Sequence, residues 1–142
     1  MTRWKIWRPP EPDEEIARWQ LDRPPELAAL RAALHRTLTA RRFGSVDTAD
    51  LLERLMIVAT ELAGNALRHR SPPTVVALLR CDGHLIVDVR DNAPDQPPVG
   101  AIRPPGAGGL GLTLTQRLAH DVGWYPGQAG KHVWALFTLD AP

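Results

Sequence analysis

Two stretches of the chain repeat apolar residues at every third or fourth position, which is the spacing of an amphipathic helix. Pro25 suits the first turn of the first helix, which we predict to end near Phe43 and Gly44. The second helix is predicted to begin within residues 45–50 and to end before Ser71, where two prolines follow. The repeated residues are Leu27, Leu30, Leu34 and Leu38 in the first helix, and Leu51, Leu55, Val58, Leu62 and Ala66 in the second.

The pattern then changes to one that is typical of strands. Residues Thr74–Cys81 and His84–Asp91 are β-rich runs joined by Asp82 and Gly83, a strong signal for a two-residue hairpin. A long loop rich in proline and glycine follows. We predict a third helix over residues 109–120 and further strands over 19–22, 122–125 and 132–139.

Helices followed by mostly antiparallel strands predict an α+β domain built as a two-layer sandwich. We place this domain at residues 19–142 and assign residues 1–18 to an N-terminal arm rich in tryptophan and proline. Tryptophan is a common interface anchor, and Trp4 and Trp7 both lie in this arm. Two interpretations are open: the arm docks on its own domain or on a second copy in a homodimer, or it binds a separate partner.

Composition and charge exclude several classes of protein. The 17 Lys and Arg residues nearly balance the 16 Asp and Glu residues, for a net charge of +1. No stripe of basic residues stands out, so the sequence does not indicate direct binding of nucleic acid. The single cysteine, Cys81, rules out an internal disulfide and has no neighbours that indicate a metal site. No apolar run is long enough for a membrane span, and the first residues lack a secretory signal, so we expect a cytoplasmic protein.

Candidate chemistry begins on the second helix, where Glu61, Asn65 and Arg68 stack on one face at spacings of four and three. Glu61 offers an anionic acceptor that can take a proton or hold a water. Asn65 offers a neutral oxygen, which suits Mg²⁺ when phosphates supply the other ligands. On its own, such a polar face is more often just the solvated side of an amphipathic helix.

Two further features follow along the chain. Gly106–Gly111 holds four glycines in six residues directly before the third helix, and free amides at a helix N-terminus cradle phosphate. These glycines also match the dinucleotide fingerprint G-x-G-x-x-G, but the required preceding strand and following acidic residue are missing. Asp91 ends a predicted strand, where its carboxylate can accept from the amine of adenine; a lone Asp there is more often a turn former.

In this order, the three features resemble the nucleotide-binding boxes of the GHKL (Bergerat-fold) ATPases. The resemblance covers about residues 19–139. Within that superfamily the chain is most similar to the small anti-sigma-factor serine/threonine kinases of actinobacterial type. Two motifs carry this similarity. One is the segment from Thr60 to His69, which reads Thr-Glu-Leu-x-x-Asn-Ala-x-x-His, and the other is the closing segment Gly130–Trp134, which reads Gly-Lys-His-Val-Trp.

The resemblance implies a mixed, mostly antiparallel sheet with helices on one face, and ATP bound between the helices and the glycine segment. Asn65 would hold Mg²⁺, Glu61 would act as the catalytic base or orient the attacking hydroxyl, and Asp91 would read the adenine amine. The other positions that the resemblance assigns to nucleotide binding are Arg68, Ala93, Gly106, Gly108, Gly109, Leu110, Gly111 and His132.

Family members phosphorylate a serine on a small anti-sigma-antagonist (STAS-type) partner and sequester a sigma factor, so the resemblance implies an ATP-dependent protein kinase. Ala93 and His132 depart from the family pattern, in which glycine and threonine are usual. These departures keep open a second hypothesis, a non-catalytic module that binds a nucleotide or a partner. A detached histidine-kinase catalytic domain is disfavoured, because the glycine segment is short and no phosphoacceptor helix is present.

Overall fold

The computed structural model describes residues 5–41, 49–69, 73–92, 110–127 and 130–139. Each predicted helix and strand has a counterpart in the structure, with small shifts at the ends of all but the first strand. In chain order they are strand β1 (Glu14–Leu21), a 3-10 turn (Pro24–Glu26), helices α1 (Leu27–Ala40) and α2 (Ala49–His69), strands β2 (Thr74–Cys81) and β3 (His84–Asp91), helix α3 (Leu110–Leu118), and strands β4 (Asp121–Pro126) and β5 (Lys131–Thr138).

The five strands form one sheet in the order β1-β2-β3-β5-β4, and each pair of neighbours is antiparallel. The predicted hairpin joins β2 to β3, with Cys81 paired to His84. Asp82 adopts a φ of 52°, the left-handed conformation that a tight hairpin turn requires. The prediction of an α+β domain is therefore confirmed.

One face of the sheet is covered by helices and holds the larger core. Successive strand residues point to opposite faces, so every second residue of β3 and β5 joins this core. Burial of these side chains fixes the register of the sheet, because a shift by one residue would expose them all. The core contains Leu30, Leu34 and Leu38 of α1, Leu55, Val58 and Leu62 of α2, Leu85, Val87 and Val89 of β3, and Val133, Ala135 and Phe137 of β5.

The opposite face, which we call the back face, carries a smaller apolar cluster. Its buried members are Ala77, Leu79, Ile86, Trp134 and Leu136, with Tyr125 packed at its border. The two clusters alternate along each strand, so neighbouring residues of β3 and β5 serve different layers.

The first strand begins earlier than the sequence pattern indicates. We predicted a strand over residues 19–22, but β1 spans Glu14–Leu21 and pairs with β2 along its whole length. A register shift between Glu15 and Ala17 breaks the alternation of apolar and polar residues that would reveal the strand. Residues 14–18 therefore belong to the sheet, and the boundary that we drew after residue 18 falls inside a strand.

The described part of the arm docks on its own domain, at the free edge of β4. The backbone N–H of Trp7 donates to Trp124 at 3.0 Å, and the N–H of Trp124 donates to Lys5 at 3.0 Å. Two indole N–H groups also join the arm to the sheet. Nε1 of Trp7 donates to the carbonyl of Val122, and Nε1 of Trp134 donates to the carbonyl of Trp7, both at 2.8 Å. The arm thus covers a sheet edge and part of the back face.

Gly123 provides the space for the Trp7 ring. A Cβ at this position would overlap the Trp7 indole and lie 2.7 Å from the Trp134 ring. We expect Gly123→Ala to displace the arm and to lower the free energy of unfolding by about 1–3 kcal/mol, the usual cost of overpacking. Urea denaturation measures the cost, and the indole N–H resonances of Trp7 and Trp134 in a ¹H–¹⁵N spectrum report the arm.

Gly64 gives a matched control in α2. A Cβ there would make ordinary contacts of 3.4 Å and 3.5 Å, and alanine favours a helix over glycine by about 1 kcal/mol. Gly64→Ala should therefore leave both indole resonances in place without loss of stability. If both resonances also stayed unchanged in Gly123→Ala, the described docking of the arm would be wrong.

Candidate functional site

The first part of the site lies on α2. Glu61 and Asn65 are one helical turn apart and half-buried, while Arg68 is exposed. Within the described residues, the side chains of Glu61 and Asn65 have no hydrogen-bonding or ion-pairing partner. Two half-buried polar groups in this condition are available to a ligand, whereas a purely solvated face would be more exposed.

Arg68 turns towards α1. Its Nη1 atom lies 3.4 Å from the place that a Cβ on Gly64 would take, and Cδ1 of Leu27 lies 3.5 Å from the same place. The glycine therefore leaves room for the guanidinium near the start of α1.

The second part of the site is at the end of β3, where Asp91 is 4% exposed. Asp91 follows Leu85, Val87 and Val89 at every second position of β3, and alternate residues of a strand point to the same face. Its side chain therefore points to the helix-covered face. Its partner in the antiparallel register is Lys131, the first residue of β5, which is 1% exposed. Nζ of Lys131 lies 3.4 Å from Oδ2 of Asp91. The carboxylate is therefore a buried charge that a buried ammonium compensates.

A third polar side chain joins this pair from β2. The register that pairs Val75 with Arg90 places Thr74 opposite Asp91, on the same face of the sheet. Thr74 is 0% exposed, and its hydroxyl oxygen has no hydrogen-bonding partner in the described structure. Buried polar groups normally have a partner, so the Thr74 hydroxyl keeps an unused hydrogen-bonding capacity beside a buried carboxylate.

Gly130 brings the start of β5 against the end of β3. A Cβ at this position would overlap the carbonyl oxygen of Asp91. Only glycine permits this approach, which brings Lys131 into register with Asp91 on the neighbouring strand.

His132 does not belong to this group, which corrects the assignment made from the sequence. It follows Lys131, so its side chain points to the back face with Trp134 and Leu136. There its Nδ1 lies 3.0 Å from Oδ1 of Asp88, and its ring stacks on Tyr125 with centroids 4.6 Å apart. The sheet therefore separates the His132 side chain from the Asp91 side chain.

The back-face group has its own electrostatics. Burial, together with the nearby Asp88 carboxylate, raises the pKa of Tyr125 to about 12 against an opposing effect of Arg8. The Arg8 guanidinium lies over the Tyr125 ring at 4.4 Å. These contacts attach the N-terminal arm to the sheet through a polar group as well as through Trp7.

Several predicted positions lie outside the described residues: Ala93, Gly106, Gly108 and Gly109. Leu110 and Gly111 begin α3, which confirms that the glycine segment leads directly into a helix. The assignment of these residues to phosphate binding remains a prediction.

Lys131 and Thr74 are the two residues that we missed. In the sequence, Thr74 was only the first residue of a predicted strand, and Lys131 was only a part of the closing motif that begins at Gly130. The alternation in β5 does indicate that Lys131 points inward. Val133, Ala135 and Phe137 follow it at every second position and lie in the core of the helix-covered face. For Thr74 no local signal exists, since its meaning depends on pairing with β3.

The α+β fold thus combines a half-buried acid and amide on α2 with a buried carboxylate at the end of β3 and an orphan hydroxyl at the start of β2. Comparison with family models gives the family. The chain belongs to the histidine kinase-like ATPase domain family, whose model matches residues 22–137.

The chain is similar to a kinase from Streptomyces coelicolor and, in fold, to a solved structure from Mycobacterium tuberculosis. The signal transduction histidine-protein kinase AfsQ2 of Streptomyces coelicolor is 33% identical over 103 residues, which cover 63% of this chain and 19% of that protein. The chain thus spans less than a quarter of that relative's length. The crystal structure of the RsbU and RsbW domains of Rv1364c from Mycobacterium tuberculosis superimposes with a TM-score of 0.60 at 20% identity, covering 89% of this chain and 33% of that one.

Two absences concern membrane spans and metal clusters among the described residues. None of the described helices is both long and apolar enough to cross a membrane. No group of three or more His, Cys, Asp and Glu side chains suited to a metal ion occurs among the same residues.

Proposed function

We propose that this chain is an ATP-binding regulatory protein serine/threonine kinase of the anti-sigma-factor type. Its substrate is a serine of a small anti-sigma-antagonist (STAS-type) protein in the cytoplasm, and a sigma factor is a second partner. The observation that carries the proposal is the pair Glu61 and Asn65, half-buried on α2 and without partners among the described residues.

Each described residue has a defined task in this proposal. Asp91 accepts a hydrogen bond from the adenine amine, and the orphan hydroxyl of Thr74 supports the same edge of the base. Asn65 gives its amide oxygen to Mg²⁺, a hard cation that prefers oxygen ligands. Glu61 orients the serine hydroxyl and accepts its proton as the serine oxygen bonds to the γ-phosphorus of ATP; the bond from that phosphorus to the β–γ bridging oxygen breaks, and ADP leaves with its electron pair. The glycines of the segment 106–111 bind the phosphates through backbone N–H groups.

Two findings support the kinase type. The family is one of ATPase domains related to kinases, and the similar protein from Streptomyces coelicolor is itself a kinase. The similar fold from Mycobacterium tuberculosis contains an RsbW domain, in a chain that also holds an RsbU domain. The choice of serine over histidine as acceptor rests on the motif around Glu61 and Asn65.

One observation favours the alternative, a non-catalytic module of the same fold that binds a nucleotide or a partner. The Asp91 carboxylate already has Lys131 at 3.4 Å, so the base edge differs from a site in which the carboxylate serves the nucleotide alone. Incubation with Mg-ATP and a STAS-type protein separates the two: phosphoserine supports the kinase, and tight nucleotide binding without transfer supports the module.

Asn65→Ala tests the site and its metal together. We expect the affinity for ATP to fall about 10–100-fold in the presence of Mg²⁺ and to change little in EDTA, because the amide oxygen acts through the metal. Isothermal titration calorimetry of the wild type and the variant in both buffers measures this difference.

Asn65→Asp is the matched variant, since it keeps an oxygen ligand at the same place. It should retain Mg-dependent binding. An equal loss of affinity in Mg²⁺ and in EDTA for Asn65→Ala would show that the residue does not act through a metal. Absence of ATP binding in the wild type would reject the proposed function altogether.

A further inference from the structure

Three polar side chains lie side by side at the end of the helix-covered face, one from each of three neighbouring strands. Thr74 of β2 is opposite Asp91 of β3, and Asp91 is paired in register with Lys131 of β5. All three are almost completely buried, at 0%, 4% and 1% exposure. We call these residues the base-edge row.

A carboxylate alone discriminates strongly between purines. The 6-amino group of adenine is a donor and is attracted to a carboxylate, whereas the 6-oxo group of guanine or hypoxanthine is an acceptor and is repelled. Inside a protein the repulsion is strong, because little water screens it. A site that presented only Asp91 would therefore select adenine.

Lys131 changes this balance. Its ammonium lies 3.4 Å from the carboxylate, so the two opposite charges present a nearly neutral edge with both a cationic and an anionic end. A 6-oxo group is attracted to the ammonium, and the N1–H donor of the same base is attracted to the carboxylate. Adenine fits the same two charges with the base turned over, so that its amine faces the carboxylate and its N1 acceptor faces the ammonium.

Thr74 adds a hydroxyl that can pair with either an amine or an oxo group. A hydroxyl can donate one hydrogen bond and accept others, and its hydrogen rotates to suit the partner. The Thr74 hydroxyl is buried and has no partner in the described structure. It can therefore accept from an amine or donate to an oxo group without any change of the backbone.

We propose that Lys131 is a specificity-determining residue that makes the base-edge row bind 6-oxopurine nucleotides as well as adenine nucleotides. This inference rests on the proposed function, because it concerns the base pocket of the same nucleotide site. It identifies the substrate class of that site as purine nucleoside triphosphates in general.

Titration of the wild-type chain tests the inference directly. Dissociation constants for ATP, GTP and inosine triphosphate are measured by calorimetry with Mg²⁺ in excess. We expect the affinities for GTP and inosine triphosphate to lie within about ten-fold of the affinity for ATP. A preference for ATP beyond ten-fold overturns the inference while the proposed function stands, whereas no binding of any nucleotide overturns both. Inosine triphosphate isolates the 6-oxo group, because it lacks the 2-amine of guanine.

Lys131→Met removes the ammonium and keeps an unbranched side chain. Its preference for ATP over GTP should rise about ten-fold or more relative to the wild type, the discrimination that one charged contact to a base edge supplies. The conservative Lys131→Arg keeps the charge and should stay within about three-fold of the wild-type ratio. An unchanged ratio in folded Lys131→Met overturns the inference, and if that variant does not fold, the wild-type ratios decide.

Discussion

Glu61→Gln is expected to lower the rate of phosphoryl transfer about 10²–10⁴-fold while the affinity for Mg-ATP changes by less than about three-fold. The amide has nearly the same shape as the carboxylate, but it cannot accept the proton of the serine hydroxyl. Glu61 is half-buried and has no partner within the described residues, so the substitution breaks no contact of the fold. Transfer of radiolabelled phosphate to a STAS-type protein gives the rate, and calorimetry gives the affinity.

Glu53→Gln is the matched control for this prediction. Glu53 is on the same helix, about two turns before Glu61, and it is exposed. Its replacement should leave both the transfer rate and the affinity near those of the wild type. Equal rates in Glu61→Gln and the wild type would exclude Glu61 as the base, and the non-catalytic hypothesis would then be favoured.

The second large effect concerns the stability of the Asp91–Lys131 pair. We expect Asp91→Asn and Lys131→Met each to lower the free energy of unfolding by about 3–5 kcal/mol, because each removes one partner of a buried ion pair and leaves the charge of the other in the core. The double variant has no charge to compensate and should lose less than the sum of the two single losses. Urea denaturation of the four proteins gives the coupling free energy directly.

The exposed pair of Asp50 and Arg54 on α2 is the control for this cycle. Nε of Arg54 lies 3.1 Å from Oδ2 of Asp50, and the Asp50 side chain is 83% exposed. Asp50→Asn should cost less than about 1 kcal/mol, because water already solvates the carboxylate. Strict additivity in the Asp91–Lys131 cycle would mean that the two buried charges do not stabilise each other.

These two predictions separate catalysis from folding within one site. Glu61 has no described partner and can change without cost to the fold, whereas Asp91 is tied to Lys131 and through it to β5. The Asp91 end of the proposed site is therefore a part of the core, and the Glu61 end lies on one helix at the border of the core. A substitution at Glu61 therefore needs a control for activity, and a substitution at Asp91 needs a control for stability.

The elements that were correctly predicted depend on local patterns. The three-to-four spacing of leucines gives α1, and the Asp82-Gly83 turn between two β-rich runs gives the central hairpin. The α2 motif was also recognisable, because Glu61 and Asn65 are close in the chain and the helix alone brings them together.

The errors arose where pairing between strands decides the outcome. His132 and Lys131 are neighbours in the sequence, yet they point to opposite faces, and only the register with Asp91 shows which one enters the site. The early start of β1 was hidden by a register shift between Glu15 and Ala17. The tryptophans of the arm indicated docking, but the edge strand that Trp7 contacts follows it by more than a hundred residues.

The sequence by itself determined the α+β class, the helices and the hairpin, and it identified Glu61, Asn65 and Asp91 as the candidate chemistry. Those features follow from interactions between residues that are near in the chain, for which spacing and turn chemistry are sufficient. The tertiary structure alone placed Thr74 and Lys131 beside Asp91 and moved His132 to the back face. The side chain that faces a ligand at the end of a strand depends on long-range register, which burial of the whole sheet determines.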